Sequence, residues 1–372
     1  MVGDALWVVG DSAYGKLGLG YSGDLTTWAD TGLTGVTDIA TWGHHGYLIK
    51  DGEIWSTGRN RYGQLGLGDQ TARNTWTPTG MTGANDIAAG ANHGYLIKDS
   101  KVWSVGINNS GELGLSDTED RNTWTATGMT GVTAITAGDY FGYLLKDGEV
   151  WSVGDDTFGV LGLPGTGNQD TWAATGMTGV TDIAASQYHG YFIKDSEVWA
   201  VGLNGNGQLG LGDTDRRSNW VATGNTGVTD IEAGLYSGYL VKEGEVFTAG
   251  QNNYGQLGLG DDNDRLSWTS TGVIGVLDIA AGTNHGYAIS GGKVMATGAG
   301  GNGRLGTGYT GSKNTWTDTG LSGATYVTSG TSHGYAIASG ISFATGYNDF
   351  GQLGQGDTNS RLSWTEVAIP AQ

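Results

Sequence analysis

Apolar residues along this chain come in short bursts separated by polar turns, and the bursts return on a fixed beat. In one copy they read "NDIAAG" (85–90), "HGYLIK" (93–98), "KVWSVG" (101–106) and "NTWTATG" (122–128). The second burst alternates around Tyr95 and Ile97, and the third carries Val102, Trp103 and Val105, the habit of strands. Between these two lie Asp-Gly or Asp-Ser pairs, such as Asp51-Gly52 and Asp147-Gly148. Such pairs mark tight two-residue hairpins. The first and second bursts are joined by a link of hairpin length, and the link from third to fourth is longer and glycine-rich. No stretch reads as an amphipathic helix. The pattern predicts a four-stranded antiparallel unit, with strands a, b, c and d in chain order.

The unit repeats without an insertion or deletion. The glycine that ends strand c falls at Gly10, Gly58, Gly106, Gly154, Gly202, Gly250, Gly298 and Gly346, in steps of 48 residues. A loop motif follows in register, as in "YGQLGLGD" at 62–69. An HGY motif opens strand b at His45, His93, His189, His285 and His333, with Phe141 and Ser237 standing in for His in two copies. Its tyrosine is present in all seven copies, and a Trp follows each strand-c glycine by eighteen residues, from Trp28 to Trp364. A four-stranded unit of this length, repeated about seven times, is the signature of a β-propeller, whose closure hides sheet edges. The expectation is an all-β chain forming one domain over 1–372. Its repeat units run 1–50, 51–98, 99–146, 147–194, 195–242, 243–290 and 291–338, and a surplus half-repeat spans 339–372.

Composition fits this reading and removes several functions. Glycine is abundant (71) and proline scarce (3), which suits tight turns between short strands. The net charge is −19 with only 18 Lys and Arg, so the chain repels nucleic acid and anionic lipid. There is no cysteine, hence no disulfide, thiolate nucleophile or cysteine zinc site. The start "MVGDALWVVGDSAYG" reads as no secretory signal, and no apolar run approaches the ~18–20 residues of a membrane span.

The loop, the HGY strand, the "GVTDIAAG"-like strand and the "DGEVWSVG"-like hairpin together resemble the regulator-of-chromosome-condensation repeat family, over essentially residues 1–368. That resemblance implies a seven-bladed propeller. The a–b–c region is also similar to propeller-type inhibitors of β-lactamases, and the glycine-, threonine- and tryptophan-rich repeats look similar to propellers encoded by phages. In its eukaryotic branch the family implies guanine-nucleotide exchange and chromatin docking. Those activities use a projecting insertion and a basic tail. The strict 48-residue spacing leaves no room for such an insertion, and no basic tail is present.

A single active site needs singular residues, so anything repeated seven or eight times is first a structural residue. The HGY histidines read as holding a turn. A metal-binding ring of them is interrupted by Phe141 and Ser237. Asp261, Asp262 and Asp264 read as a solvated acidic turn rather than a calcium loop. Arg73, Arg121, Arg217, Arg265 and Arg361 read as partners of loop Asp or of aromatic rings. The opening "GRNRYGQLGLGD" (58–69) looks like a phosphate loop, but a strand rather than a helix N-terminus follows it. No catalytic set, metal site or cofactor is expected.

The residues that break register are the candidates. Trp42 sits where other copies have glycine, and His44 is the one His outside the HGY position. Trp42, His44, Tyr140, Phe141, Tyr188 and Tyr236 fall in a–b turns. Tyr14, Tyr62, Phe158, Tyr254 and Phe350 fall in c–d loops, at the same end of a meander. Such residues either present a protein-binding surface or cover neighbouring blades. Strands c and d occur once more than a and b, so one terminal pair is surplus. An unpaired 339–372 would offer a hairpin edge for self-assembly. The reading that results is a non-enzymatic protein-interaction scaffold in a phage virion, tail-associated or surface-decorating. Its partners would be other virion proteins or itself, with no nucleic acid and no membrane insertion. The alternatives are a soluble enzyme inhibitor or regulator of the β-lactamase-inhibitor kind and, less favoured, an exchange factor; the alternative to a virion location is the cytoplasm.

Overall fold

The computed structural model describes residues 5–165 and 167–368. It begins with a hairpin of β1 (Trp7–Gly10) and β2 (Leu25–Asp30). A four-stranded antiparallel sheet follows: β3 (Val36–Trp42), β4 (His45–Lys50), β5 (Glu53–Gly58) and β6 (Arg73–Thr82). The same meander recurs over 84–130, 132–178, 180–222, 228–274, 276–322 and 324–366. These seven sheets are the expected seven blades, with strands a to d where the apolar pattern put them. By contacts the chain divides into two compact units, 1–188 with 218–220, and 189–217 with 221–372.

The β4–β5 turn shows why the sequence folds this way locally. Asp51 and Gly52 both have positive φ (50° and 77°), the requirement of the turn whose twist matches a hairpin. Pairing is then in register from His45↔Gly58 to Lys50↔Glu53. The same chemistry corrects the expectation about the surplus half-repeat. Ser339 (φ 52°) and Gly340 (φ 78°) make the same turn, so strand Ile341–Gly346 pairs with strand His333–Ala338 immediately before it. Residues 339–368 therefore complete their own sheet, and the edge proposed for self-assembly does not exist there. The surplus pair is β1–β2, which the described residues leave as a two-stranded sheet. It is not bare: Leu6 is buried with Val36, Leu48 and Trp76, against half-buried Val8, Leu33 and Trp55.

The core lies between adjacent sheets of each unit. In the first unit, Tyr47, Ile49 and Ile54 pack on Ala84, Ile87, Leu96, Val105 and Trp124 of the following sheet. In the second, Tyr239, Val241 and Val246 pack on Ile279 and Ala288. Two repeated contacts set the spacing. Gly94 of one HGY motif gives way to the preceding repeat's tyrosine: a Cβ there would lie 2.6 Å from the Tyr47 hydroxyl. Gly66 of the loop has φ +69°, and a Cβ there would lie 2.5 Å from Nε1 of Trp124 in the next repeat. The Tyr47 and Trp124 rings meet edge to face at 5.5 Å.

The fully buried tyrosine hydroxyls find a partner seventeen residues on. Tyr47 donates to the Gln64 carbonyl at 2.6 Å, and Tyr239 to the Gln256 carbonyl at 2.9 Å. Tyr47→Phe removes the donor to that carbonyl in a fully buried site, so it is expected to destabilise the chain by about 1–3 kcal/mol in urea unfolding. An unchanged midpoint and slope would show that the hydroxyl contributes nothing.

Candidate functional site

Each a–b turn and each c–d loop lies at the same end of its own sheet, and this is where the candidate aromatic residues and His44 lie. In the first unit, Tyr14 (52% exposed), His44 and Tyr140 are open to solvent, and Trp42, Tyr62, Phe158 and Tyr188 are half-buried. In the second unit Tyr254 (49% exposed) and Phe350 (43%) are open, and Tyr236 is half-buried. The structure brings some of them together. Tyr14 and His44 meet edge to face at 5.1 Å, and Phe158 and Tyr188 at 4.9 Å. Phe350 instead meets Tyr347 of its own loop at 6.0 Å.

Phe141 is a correction. It was expected in an exposed turn, but it is 2% exposed and opens its strand b as a core residue. A Cβ on Gly138 would lie 2.2 Å from its ring, as a Cβ on Gly90 would from the ring of His93. Phe141 thus fills the volume that imidazole fills elsewhere. The unusual residue occupies an ordinary position.

Sequence reasoning missed Asp139 in the same turn. It is 7% exposed, and Gln187 donates its side-chain amide to the carboxylate. Burial raises its pKa, and hydrogen bonds from Gln187 and the Trp42 indole oppose that rise. Trp42 is thereby tied down by polar contact as well as by packing. The signal was available, because the other copies have Gly43, Ala91, Gln187, Leu235, Thr283 and Thr331 at that position.

The repeated polar residues behave as frame. Arg73 pairs with Asp69 at 2.6 Å, and the same i,i+4 pair recurs at Arg121–Asp117, Arg217–Asp213, Arg265–Asp261 and Arg361–Asp357. The arginine beside it pulls the Asp261 carboxyl down to about 2. Asp264 accepts from the Asn252 backbone at 2.7 Å. Among the described residues no group of three or more His, Cys, Asp or Glu is placed to hold a metal. Among the described residues no helix is long and apolar enough to cross a membrane.

The HGY histidines are held by packing, each ring edge-on to the tyrosine two residues later, as at His93–Tyr95 (4.9 Å). Burial pushes their pKa values down, to about 4 for His45 and His333 and about 3 for His93, His189 and His285. They are neutral wherever the protein is folded near neutral pH, and buried away from solvent they serve as packing residues.

Two segments, 51–97 and 243–289, match the Regulator of chromosome condensation (RCC1) repeat. No curated protein matches the chain in sequence. Among solved structures, human WBSCR16 is similar at a TM-score of 0.70 and 20% identity, over 90% of this chain and 98% of its own. Yeast RCC1 (Prp20), in a crystal structure with Kap60, is similar at 0.66 and 20% identity, over 85% of this chain and 84% of its own. A structure of Prp20p from Saccharomyces cerevisiae, described together with its binding properties to Gsp1p and histones, is similar at 0.66 and 20%, over 85% and 86%.

The histidines carry a prediction. In the unfolded chain an imidazole takes a proton near pH 6.5, while the buried ones stay neutral down to about pH 4 or 3. Between those values the unfolded state binds more protons, so stability is full above pH 6.5 and falls as the pH drops. His93→Phe, which copies what Phe141 already does, should flatten the fall by up to about 1.4 kcal/mol per pH unit between pH 6 and 4.5. Equal slopes for the two proteins in urea unfolding would contradict the buried neutral state. With two segments matched to the RCC1 repeat, the same motifs in register through the other copies, and seven four-stranded sheets, this chain has an RCC1-like β-propeller fold.

Proposed function

We propose that the chain is a non-enzymatic protein-binding scaffold that holds its partners through aromatic residues of its a–b turns and c–d loops. The observation that carries this reading is the exposure of Tyr14, Tyr140, Tyr254 and Phe350, while the repeated Tyr, Trp and Leu around them are buried. Rigidly mounted, half-open aromatics offer large contact area at low entropic cost, and such residues anchor protein interfaces. Yeast RCC1, which is similar in fold, has been crystallised with the protein Kap60. The net charge of −19 opposes nucleic acid as the partner.

Within this class we place the chain in a phage virion, as a tail-associated or surface-decorating component. Support comes from its similarity to glycine-, threonine- and tryptophan-rich phage repeats. The "GVTDIAA" and "HGYFIKDSEVWAVG" runs (179–185 and 189–202) favour a second reading as an enzyme inhibitor of the β-lactamase-inhibitor kind, which would use the same loop ends. Guanine-nucleotide exchange is less favoured, because the 48-residue register leaves no projecting insertion.

Electron microscopy and mass spectrometry of particles purified from the source test the placement. The chain should be present at a fixed copy number per particle. Recovery only as free protein removes the virion placement and leaves the scaffold reading intact. Tyr254→Ala and Phe350→Ala test the scaffold itself. Each should weaken binding of the recovered partner about tenfold or more, with Tm within about 2 °C of the parent. A lowered Tm with unchanged binding would make these residues part of the frame instead.

A further inference from the structure

We infer that the loop cluster around Tyr14 is a docking site for a short carboxylate-bearing segment of a protein partner. This deepens the scaffold reading and rests on it. The cluster assembles from three pieces of chain. Tyr14 and Lys16 come from the first loop, His44 from the β3–β4 turn and Arg59 from the loop after β5, where Arg61 and Tyr62 follow it in sequence. The Arg59 guanidinium lies 5.6 Å from the centre of the Tyr14 ring, which meets the His44 ring edge to face with centres 5.1 Å apart. The Arg61 guanidinium lies 5.6 Å from the centre of the Tyr62 ring. The place is fixed by backbone: Arg59 N–H donates to the His44 carbonyl at 2.9 Å. Lys16 Nζ reaches Asp11 at 2.8 Å and the Gly43 carbonyl at 3.3 Å.

What sets Arg59 and Arg61 apart is the partner they lack. The five arginines at the repeated position each hold a loop aspartate. Among the described residues, no carboxylate lies within ion-pair distance of Arg59 or Arg61. Lys16, Arg59 and Arg61 against Asp11 leave the cluster at +2, on a chain of −19. Partial burial, with Lys16 and Arg59 nearby, holds the His44 imidazole below its ordinary pKa, as a locally positive field would.

A guanidinium held over a ring by a cation–π contact still offers its N–H fork to a carboxylate. The open faces of Tyr14 and His44 give an adjacent apolar side chain a wall to lie on. A nucleic acid draws its affinity from many phosphate contacts, which a +2 patch on this chain does not supply. A peptide needs only one or two carboxylates. Because −19 opposes the approach of any strongly acidic body, the fitting partner carries a short acidic stretch on a neutral or basic surface.

The test selects from a displayed library of random twelve-residue peptides against the full chain, and then measures the enriched peptides on an R59Q/R61Q double variant. A labelled thymidine 20-mer serves as a second probe. The expected result is enrichment in Asp and Glu over the input library and about tenfold or greater loss of affinity on the variant at unchanged Tm. R59K/R61K, which keeps the charge but not the fork, should restore only part of it. Acidic peptides binding both proteins equally would overturn the site, as would loss of oligonucleotide but not peptide binding in the variant. Enriched peptides without acidic bias that fail on Tyr254→Ala would overturn this site and leave the scaffold reading standing. If no peptide is enriched, the site falls and the scaffold reading is weakened with it.

Discussion

The structure depends on a close approach between one repeat's loop glycine and the next repeat's tryptophan. Gly66 lies against Trp124, and the same contact recurs from Gly18–Trp76 to Gly306–Trp364. The left-handed backbone at Gly66 and the missing Cβ are both required, so no other residue type fits without strain. The contact carries others with it. Leu67 bridges to Thr123, Gly68 N–H donates to the Asn122 carbonyl at 2.7 Å, and Leu65 becomes fully buried. What resembled a phosphate-binding loop is a staple from one sheet to the outer strand of the next.

From that staple follows a division of labour. Positions fixed by it are buried and packed, and several have a fixed polar partner: tyrosine hydroxyls on loop carbonyls, Asn60 across its own loop, arginines on aspartates. The pKa shifts there are consequences of burial and pairing in the frame, and they recur with the repeat. The tips of the loops and a–b turns are not fixed by it. They are free to carry Tyr14, Arg59, Tyr140 or Phe350 with no cost to the neighbouring sheet. A repeat protein can therefore change what it touches without changing how it stands.

Most of the frame was legible in the sequence, because a fixed 48-residue period makes every structural residue announce itself several times. Strand order, hairpin turns and the arginine–aspartate pairs all follow from it. What escaped was decided by comparison between near-identical options. Both terminal c–d pairs look alike, and only the two-residue turn at Ser339–Gly340 makes pairing local and leaves β1–β2 as the surplus. Phe141 broke the pattern in identity but not in environment, since a phenyl ring fills an imidazole's volume. Asp139 broke it in both, and its burial depends on Gln187 and Trp42 from other repeats, which periodicity does not reveal.

The central claim, that these loop glycines exist to admit the next tryptophan, is tested most directly by a double-mutant cycle on Gly66→Ala and Trp124→Ala in urea. If the claim holds, the two are strongly non-additive: with Trp124 removed, Gly66→Ala retains only the cost of its positive φ, about 1–2 kcal/mol. Additive costs would contradict the account, because they would mean that the glycine and the tryptophan act on the fold independently.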